Sequence, residues 1–455
     1  MLILKDLLCL KVVVVLPRLI YSTLLVLLAP VAWIALWWRA RNGFSAWQPW
    51  AAERFGRYPQ PWDVAQPIWV HAVSVGEVRA AKPLIQALVL KGQPVILTHL
   101  TPTGRAEGQR LLAEEIRLGQ VWQQWVPYDL SGSLRRFWRH FNPSLVVLIE
   151  REVWPNLVHV AYEQSTPVVL ASARLSQKSL KQAKWLDRVF GGLLHDTYRA
   201  LSLVLAQSDT DAQRLFEAGA TNVQVCGNLK FDMQLPHVAV EAGRHWREQL
   251  ARPVVAIAST REGEDKQLID LIKTRLAGSS EQTKTQAQPL YLLIPRHPQR
   301  FDEAARLLDA TGCRYARWSS LRDDPSSANH LASLDVVLGD TMGEMPFFYA
   351  AADVAIVGGS FEPHGGQNFI EACAIGTPVI VGPHTHNFAQ AVSSALEAGA
   401  IVQVTSAQAA FEQVDRWLET PEQARAKGLA GKSWVANHIG ATDRMIQAMD
   451  DLSGQ

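Results

Sequence analysis

Several segments of this chain put a charged side chain just past a short apolar run, where parallel sheets present groups to a ligand. The first reads Trp69-Val-His-Ala-Val-Ser-Val-Gly-Glu, so Glu77 follows Ser74 and Gly76 into the first turn of a helix. A carboxylate there is stabilised by the helix dipole, which is sufficient reason for its presence. It also lies past a strand's carboxyl end, near a glycine that admits a ligand to the backbone, and can take a proton from an attacking hydroxyl. In the second segment Leu145–Ile149 delivers Glu150, with Arg151 and Glu152 behind it and Pro155 suited to a helix's first turn. These carboxylates could pair with Arg151 or Arg174, or perturb each other's ionisation at a cleft.

The second half of the chain offers groups for an anion. Pro295 and Arg296 follow the run Tyr291–Ile294, and a guanidinium is always charged and grips phosphate through two parallel hydrogen bonds. Thr341-Met342-Gly343-Glu344 follows another apolar run. Gly358 to Glu371 (GGSFEPHGGQNFIE) holds four glycines at a strand-to-helix turn, where a helix amino end offers backbone N–H groups to an anion. Asn368 and Glu371, three apart, share a helical face. The asparagine suits a cap, and the glutamate can accept ribose hydroxyls or serve the helix dipole. His364, His384 and His386 have no accompanying carboxylate pattern, so a metal centre is not indicated. There is no GxxxxGK[ST] loop and no Asp-x-Asp in a metal-binding loop, so a nucleotide would be held without a divalent ion.

The elements that must position these groups alternate between two patterns. Ile68–Val73, Val95–His99, Leu145–Ile149, Val168–Ala171 and Leu201–Ala206 read as buried strands, with helices over Glu77–Leu90 and Gly104–Glu115 between them. A second series runs through Val254–Ala258, Tyr291–Ile294, Val336–Leu338, Val354–Val357 and Val379–Val381. Phe231–Arg247, polar and broken by Pro236, reads as the link. The alternation predicts α/β architecture: two doubly wound domains, 46–235 and 236–455, facing across a cleft. Ser279–Gln288 and Ser319–Ala332 read as solvated loops.

Bulk properties narrow the class. A chain of 455 residues suits two or three domains, and 44 Lys+Arg against 43 Asp+Glu lacks the basic excess that nucleic-acid binding leaves. Cys9, Cys226, Cys313 and Cys373 are too scattered for zinc or a disulfide framework, and read as reduced thiols. Residues 1–45 read as a membrane anchor. Leu19–Trp38 is uncharged and about 20 residues long, enough to cross a hydrocarbon layer. Trp33, Trp37 and Trp38 suit the interface, and Arg39, Arg41, Arg54 and Arg57 place the following domain on the cytoplasmic side, although Lys5, Lys11 and Arg18 precede the run. The run is too long and Trp-rich for a signal peptide and lacks a cleavage site. Pro30 interrupts it, so a helix lying in the interface is the alternative to a full span.

Eleven motifs in order resemble the Kdo transferases of lipopolysaccharide biosynthesis. They are HAVSVGE (71–77), TPTG (101–104), VPYDL (126–130), Glu150 through WPN (154–156), ARLS (173–176), NLKFD (228–232), STREGE (259–264), PRHPQRF (295–301), GDTMGE (339–344), GGQNFIEA (365–372) and GPHTHNF (382–388). The resemblance covers nearly the whole chain. It implies the GT-B fold, with an N-terminal helix on the cytoplasmic side of the inner membrane. It also implies an inverting, metal-independent glycosyltransferase that needs no cofactor and moves Kdo from CMP-Kdo to the lipid A precursor lipid IVA. By the same resemblance Glu77 is the general base and Glu150 stabilises the transition state. Pro295, Arg296, Met342, Gly343, Glu344, Asn368, Phe369, Ile370 and Glu371 would hold CMP. Two departures stand out: Arg261 replaces the expected His, and Gln367 and Phe369 replace His and Pro. A nucleotide-sugar epimerase of the same fold would not need the anchor, and a scaffold without catalysis would not need Glu77 and Glu150.

Overall fold

The apolar runs become strands of two parallel sheets, in a computed structural model that describes residues 16–31, 34, 48–278, 288–323 and 331–453. In the first sheet β1 (Ile68–His71), β2 (Val95–His99), β3 (Val121–Trp125), β4 (Leu145–Ile149), β5 (Val168–Ala173), β6 (Leu203–Ala206) and β7 (Val223–Val225) lie in the order β3-β2-β1-β4-β5-β6-β7. The second holds β8 (Val254–Thr260), β9 (Leu290–Pro295), β10 (Tyr315–Arg317), β11 (Val336–Leu338), β12 (Val354–Val357), β13 (Val379–Val381) and β14 (Ile401–Gln403). Its order is β10-β11-β9-β8-β12-β13-β14. In each sheet the direction of winding reverses once, between β1 and β4 and between β8 and β12. At such a reversal the flanking loops diverge and leave a crevice at the strands' carboxyl ends.

Burial explains the pattern. Along β1, Ile68 and Val70 join one apolar cluster while Trp69 joins another on the opposite face, so both faces of the sheet are covered. Helices pack on each side, among them α1 (Val75–Leu90), α2 (Pro155–Glu163), α3 (Glu264–Gly278), α4 (Met345–Ala350) and α5 (Ile370–Ile375). In α1, Val78, Ala81, Leu84, Ile85 and Leu88 recur at helical spacing and are buried.

The chain divides into two compact units, one of Met1–Met233 with Gly440–Gln455, the other of Gln234–Ile439. The last helix belongs to the first unit, although the sequence assigns everything from 236 onward to the second domain. Ala441, Met445, Ala448 and Met449 pack in the cluster that holds Val70, Leu84 and Leu88. The Asp232 carboxylate accepts from the N–H groups of Gly440 (2.8 Å) and Thr442 at that helix's start. An amphipathic helix does not record which sheet it covers, so this return was not visible in sequence.

Residues 16–31 are helical and lean on the first unit through one stripe. Pro17 is buried; Tyr21 donates to Asp129 Oδ2 at 2.8 Å, and Ser22 Oγ bonds the Asn156 side chain at 3.1 Å. Asp129 also accepts from the N–H groups of Asn156 (3.2 Å) and Leu157 (2.8 Å), which open α2. Away from this stripe Leu16, Leu19, Ile20, Leu24, Val26, Leu27, Leu28, Val31 and Ile34 are exposed. No helix among the described residues is long and apolar enough to cross a membrane. The rest of the expected Leu19–Trp38 span, at 32, 33 and 35–38, lies outside the described residues, as do Arg39 and Arg41. Most of both expected loops, 279–287 and 324–330, also lies outside them. Arg54, one of the cations read as following the apolar run, lies inside the first unit. It is buried over the Trp125 ring at 4.3 Å and donates to the carbonyls of Gln48 and Leu100, because a guanidinium can enter an interior when aromatic faces and carbonyls receive it.

Asp129 therefore ties the N-terminal helix to the start of α2. Asp129→Ala is expected to lower the stability of the full chain by about 1–3 kcal/mol through lost hydrogen bonds. Tyr21→Phe should cost much less in that background than in the wild type, a non-additivity measurable by denaturant unfolding.

Candidate active site

In the first unit the loops after β1 and β4 flank the reversal. Ser74 and Glu77 have capping-box spacing, S-x-x-E, at the start of α1. The Glu77 carboxylate turns back to accept from Val73 N at 2.7 Å and from Ser74 Oγ at 3.2 Å. It thus does the local work that the helix end requires, and remains half-buried. Burial raises its pKa to about 7, helped by the charges of Glu150 and Glu152 and opposed by the two hydrogen bonds. A base poised there is part ionised near neutrality, which suits proton abstraction.

Glu150 has the opposite fate. It stands at φ +60°, a left-handed conformation uncommon outside glycine, with its side chain 6% exposed. Arg174 Nε donates to one oxygen at 2.7 Å and Lys230 Nζ to the other at 2.5 Å. Burial pushes the carboxyl up, but Lys230 and Arg174 outweigh it and hold the pKa at about 2. Glu150 is therefore permanently ionised and does not take up a proton near neutrality. Glu152 accepts from Trp154 Nε1 at 3.0 Å, and burial raises its pKa. Between these groups and β2 lies His71, buried and kept neutral by burial at a pKa of about 4, its ring edge-on to Trp154 at 5.1 Å. The sequence pointed to Arg174 as a partner but gave Lys230 no role. Its only signal was the NLKFD motif, 80 residues beyond Glu150.

In the second unit β11, β9, β8 and β12 are neighbours, so their carboxyl-terminal loops lie side by side. These loops bring most of the expected anion-binding groups together. Arg296 follows β9, and its Nε donates to Gln367 Oε1 at 3.2 Å. Past β11, Met342 is 49% exposed and Gly343 takes φ +87°. Glu344 then begins α4, with one oxygen 3.8 Å from Arg322 and the other buried without a hydrogen-bond partner among the described residues. Past β12, Asn368 Oδ1 accepts from Ile370 N at 3.2 Å, and its Nδ2 donates to Glu371 Oε1 at 3.1 Å.

Phe369 and Ile370 are core residues, 1% and 2% exposed, with Phe369 stacked on Trp434 at 5.7 Å; only their backbone can meet a ligand. The N–H groups at the start of the glycine-rich turn are also occupied. Glu264, fully buried at the start of α3, accepts from Gly359 N (2.6 Å), Phe361 N (2.9 Å) and Arg261 N (2.8 Å). The anion in that nest is thus the chain's own carboxylate, reaching across from the neighbouring strand's loop. Among the described residues no group of three or more His, Cys, Asp or Glu side chains is arranged to hold a metal. Cys226, Cys313 and Cys373 are buried free thiols.

Comparison with known proteins matches residues 50–233 to the family described as 3-deoxy-D-manno-octulosonic-acid transferase (kdotransferase) and residues 326–434 to glycosyl transferases group 1. The chain is 49% identical over 437 residues to the 3-deoxy-D-manno-octulosonic acid transferase of Bordetella pertussis, with 96% of this chain and 99% of that one covered. Identity to the protein of the same name from Haemophilus influenzae is 32% over 418 residues, covering 88% and 90%. Among solved structures, UDP-GlcNAc 2-epimerase from Neisseria meningitidis bound to UDP-GlcNAc aligns with a TM-score of 0.55 and 16% identity, over 85% of this chain and 100% of that one. That likeness is one of fold: two parallel-sheet α/β domains of the GT-B kind.

Glu264→Ala would leave four backbone N–H groups, those of Arg261, Gly359, Phe361 and Glu362, without this acceptor. The expected loss is on the order of 3 kcal/mol, read as a lowered midpoint in denaturant unfolding. An unchanged midpoint would show that the glycine-rich turn holds itself.

Proposed function

This chain belongs to the 3-deoxy-D-manno-octulosonic acid (Kdo) transferases, and on that premise we propose that it moves Kdo from CMP-Kdo to the lipid A precursor lipid IVA, inverting the anomeric carbon. The observation that carries the mechanism is the splitting of two carboxylates at one chain reversal, Glu77 near 7 and Glu150 near 2. Environments that drive two acids apart assign their roles. Glu77 takes the proton from a primary hydroxyl of the lipid's glucosamine as that oxygen attacks the anomeric carbon of Kdo. The bond from that carbon to the phosphate oxygen breaks, and CMP departs with the electron pair. Its phosphate leaves already anionic, so it needs positive charge rather than a proton, and Arg296 supplies it.

Glu150 serves this step as a fixed charge. It keeps Arg174 and Lys230 in place, and its field helps to keep Glu77 basic. On the donor side, the unpartnered oxygen of Glu344 and the carboxylate of Glu371 are acceptors for nucleoside amino or hydroxyl groups. Pro295, Met342, Gly343 and Asn368 frame them, with the backbone of Phe369 and Ile370. No metal and no cofactor enters this reading. The exposed apolar face of 16–31 supports attachment to the inner membrane, with Leu19–Trp38 as the anchor and the two units on the cytoplasmic side. A lipid acceptor would be met there.

Because the base acts when deprotonated, kcat/KM should rise with pH through about 7. Glu77→Gln should cost about 10²–10⁴ in rate while CMP affinity stays within twofold. Transfer assays with CMP-Kdo and lipid IVA across pH, alongside calorimetry with CMP, would measure both. Turnover of the variant within tenfold of wild type would remove Glu77 as the base.

A further inference from the structure

Two motifs of the first unit, HAVSVGE and TPTG, meet at Val73, and the segment past β2 has no role in the reading above. The N–H of Val73 donates to Glu77 Oε2 at 2.7 Å. The other end of that peptide group, the Ala72 carbonyl, lies 3.2 Å from His99 Nδ1. A carbonyl can only accept, so Nδ1 carries the proton and Nε2 is left as an acceptor. Gln123 Nε2 meets that acceptor at 2.8 Å, so both ring nitrogens agree on the tautomer. His99 is fully buried, and burial above all holds its ring neutral at a pKa of about 3. A chain of hydrogen bonds thus runs from Gln123 through His99 and the 72–73 peptide to Glu77, and such chains polarise each link.

The next peptide group is held by Thr101. Its Oγ1 donates to the Val73 carbonyl at 2.8 Å, and its backbone N–H donates to the same oxygen at 3.3 Å. The hydroxyl also accepts from Gly104 N at 3.1 Å, as the cap of the helix Pro102–Leu111. A cap uses only the oxygen's lone pair; here the proton is used as well, on the loop that carries Glu77. The helix is shaped for this contact. Gly104 and Gly108 are both buried and lie one turn apart. A Cβ at Gly104 would stand 2.8 Å from the Val73 carbonyl, and one at Gly108 would stand 3.0 Å from the His99 ring. Only bare backbone lets the helix lie this close.

We propose that His99 and Thr101 are positioning residues, which hold Val73 from both sides so that its N–H aims at the Glu77 carboxylate. The proposal rests on the reading of Glu77 as the base. The aim matters because that hydrogen bond favours ionised Glu77, against burial and the charges of Glu150 and Glu152. Loosening it raises the pH at which the base becomes active. A residue that only capped its helix would affect stability and leave that pH where it is.

The pH dependence of kcat/KM for transfer from CMP-Kdo to lipid IVA, measured on the full chain, tests this. Thr101→Val removes the hydroxyl and keeps the shape. Its midpoint should move upward from about 7 by about half a pH unit or more, with KM within twofold of wild type. Thr101→Ser keeps the hydroxyl and should restore the wild-type midpoint. His99→Leu leaves the Thr101 cap intact, should move the midpoint in the same direction, and carries the test should Thr101→Val fail to fold. Glu150 and Glu152 are unchanged in all three variants, so the shift reads the hydrogen bond. An unmoved midpoint in the folded variants, with Glu77→Gln still losing its rate, overturns the proposal and leaves Thr101 a cap. An equal shift in Thr101→Ser would assign the effect to packing and overturn it as well. If Glu77→Gln turns over within tenfold of wild type, the base reading itself falls, and the proposal with it.

Discussion

Glu150 carries a negative charge to a position where almost none of its side chain meets water, and it keeps that charge because two cations close on it. Desolvating a carboxylate is costly unless partners restore what water supplied. Arg174 comes from the loop after β5 and Lys230 from the segment past β7, so one ion triad joins the ends of three strands. Its consequence reaches Glu77. A fixed negative charge, with Glu152 beside it, adds to burial in holding Glu77 protonated until near neutral pH. The proposed base is tuned by a neighbour that does not itself titrate.

The second unit uses a related device. Glu264, also buried, replaces water for the N–H groups of two loops and so fixes the shape of the glycine-rich turn. Each unit then spends one unusual backbone conformation next to its reversal, Glu150 at φ +60° and Ser259 at φ +58°. Non-glycine residues in this region are held there by the surrounding structure, and such strain gathers where side chains must be aimed. In one case the residue held there carries the carboxylate of the triad itself; in the other it is the serine at the register shift between Ala258 and Thr260.

What was legible in the sequence follows from burial. β2, β4, β11, β12 and β13 match the expected runs residue for residue, since strands covered on both faces are largely apolar. β3 was missed because it lies at an edge, with Trp122, Gln123 and Gln124 only half-buried, and β7, β10 and β14 are short, more exposed strands at or beside an edge. Glu77, Glu150 and Arg296 were legible because strand ends are readable and charged residues there are conspicuous. Lys230, Glu264 and Gln367 were not, because each acts on a partner brought near only by the fold; Glu264 meets Gly359 across 95 residues. The burial of Arg54 was illegible for the same reason, its aromatic and carbonyl partners being remote in sequence.

The separation of two carboxyl groups by their surroundings can be observed without any reaction. Carbon-13 NMR of the glutamate carboxyls, titrated from pH 3 to 9 in the full chain, follows each group, with Glu77→Gln identifying the Glu77 signal. The expected result is a midpoint near 7 for Glu77 and a Glu150 signal that stays ionised down to about pH 3. A Glu77 midpoint near the ordinary 4.5, or a Glu150 signal that titrates above it, would contradict the assignment of base and fixed charge.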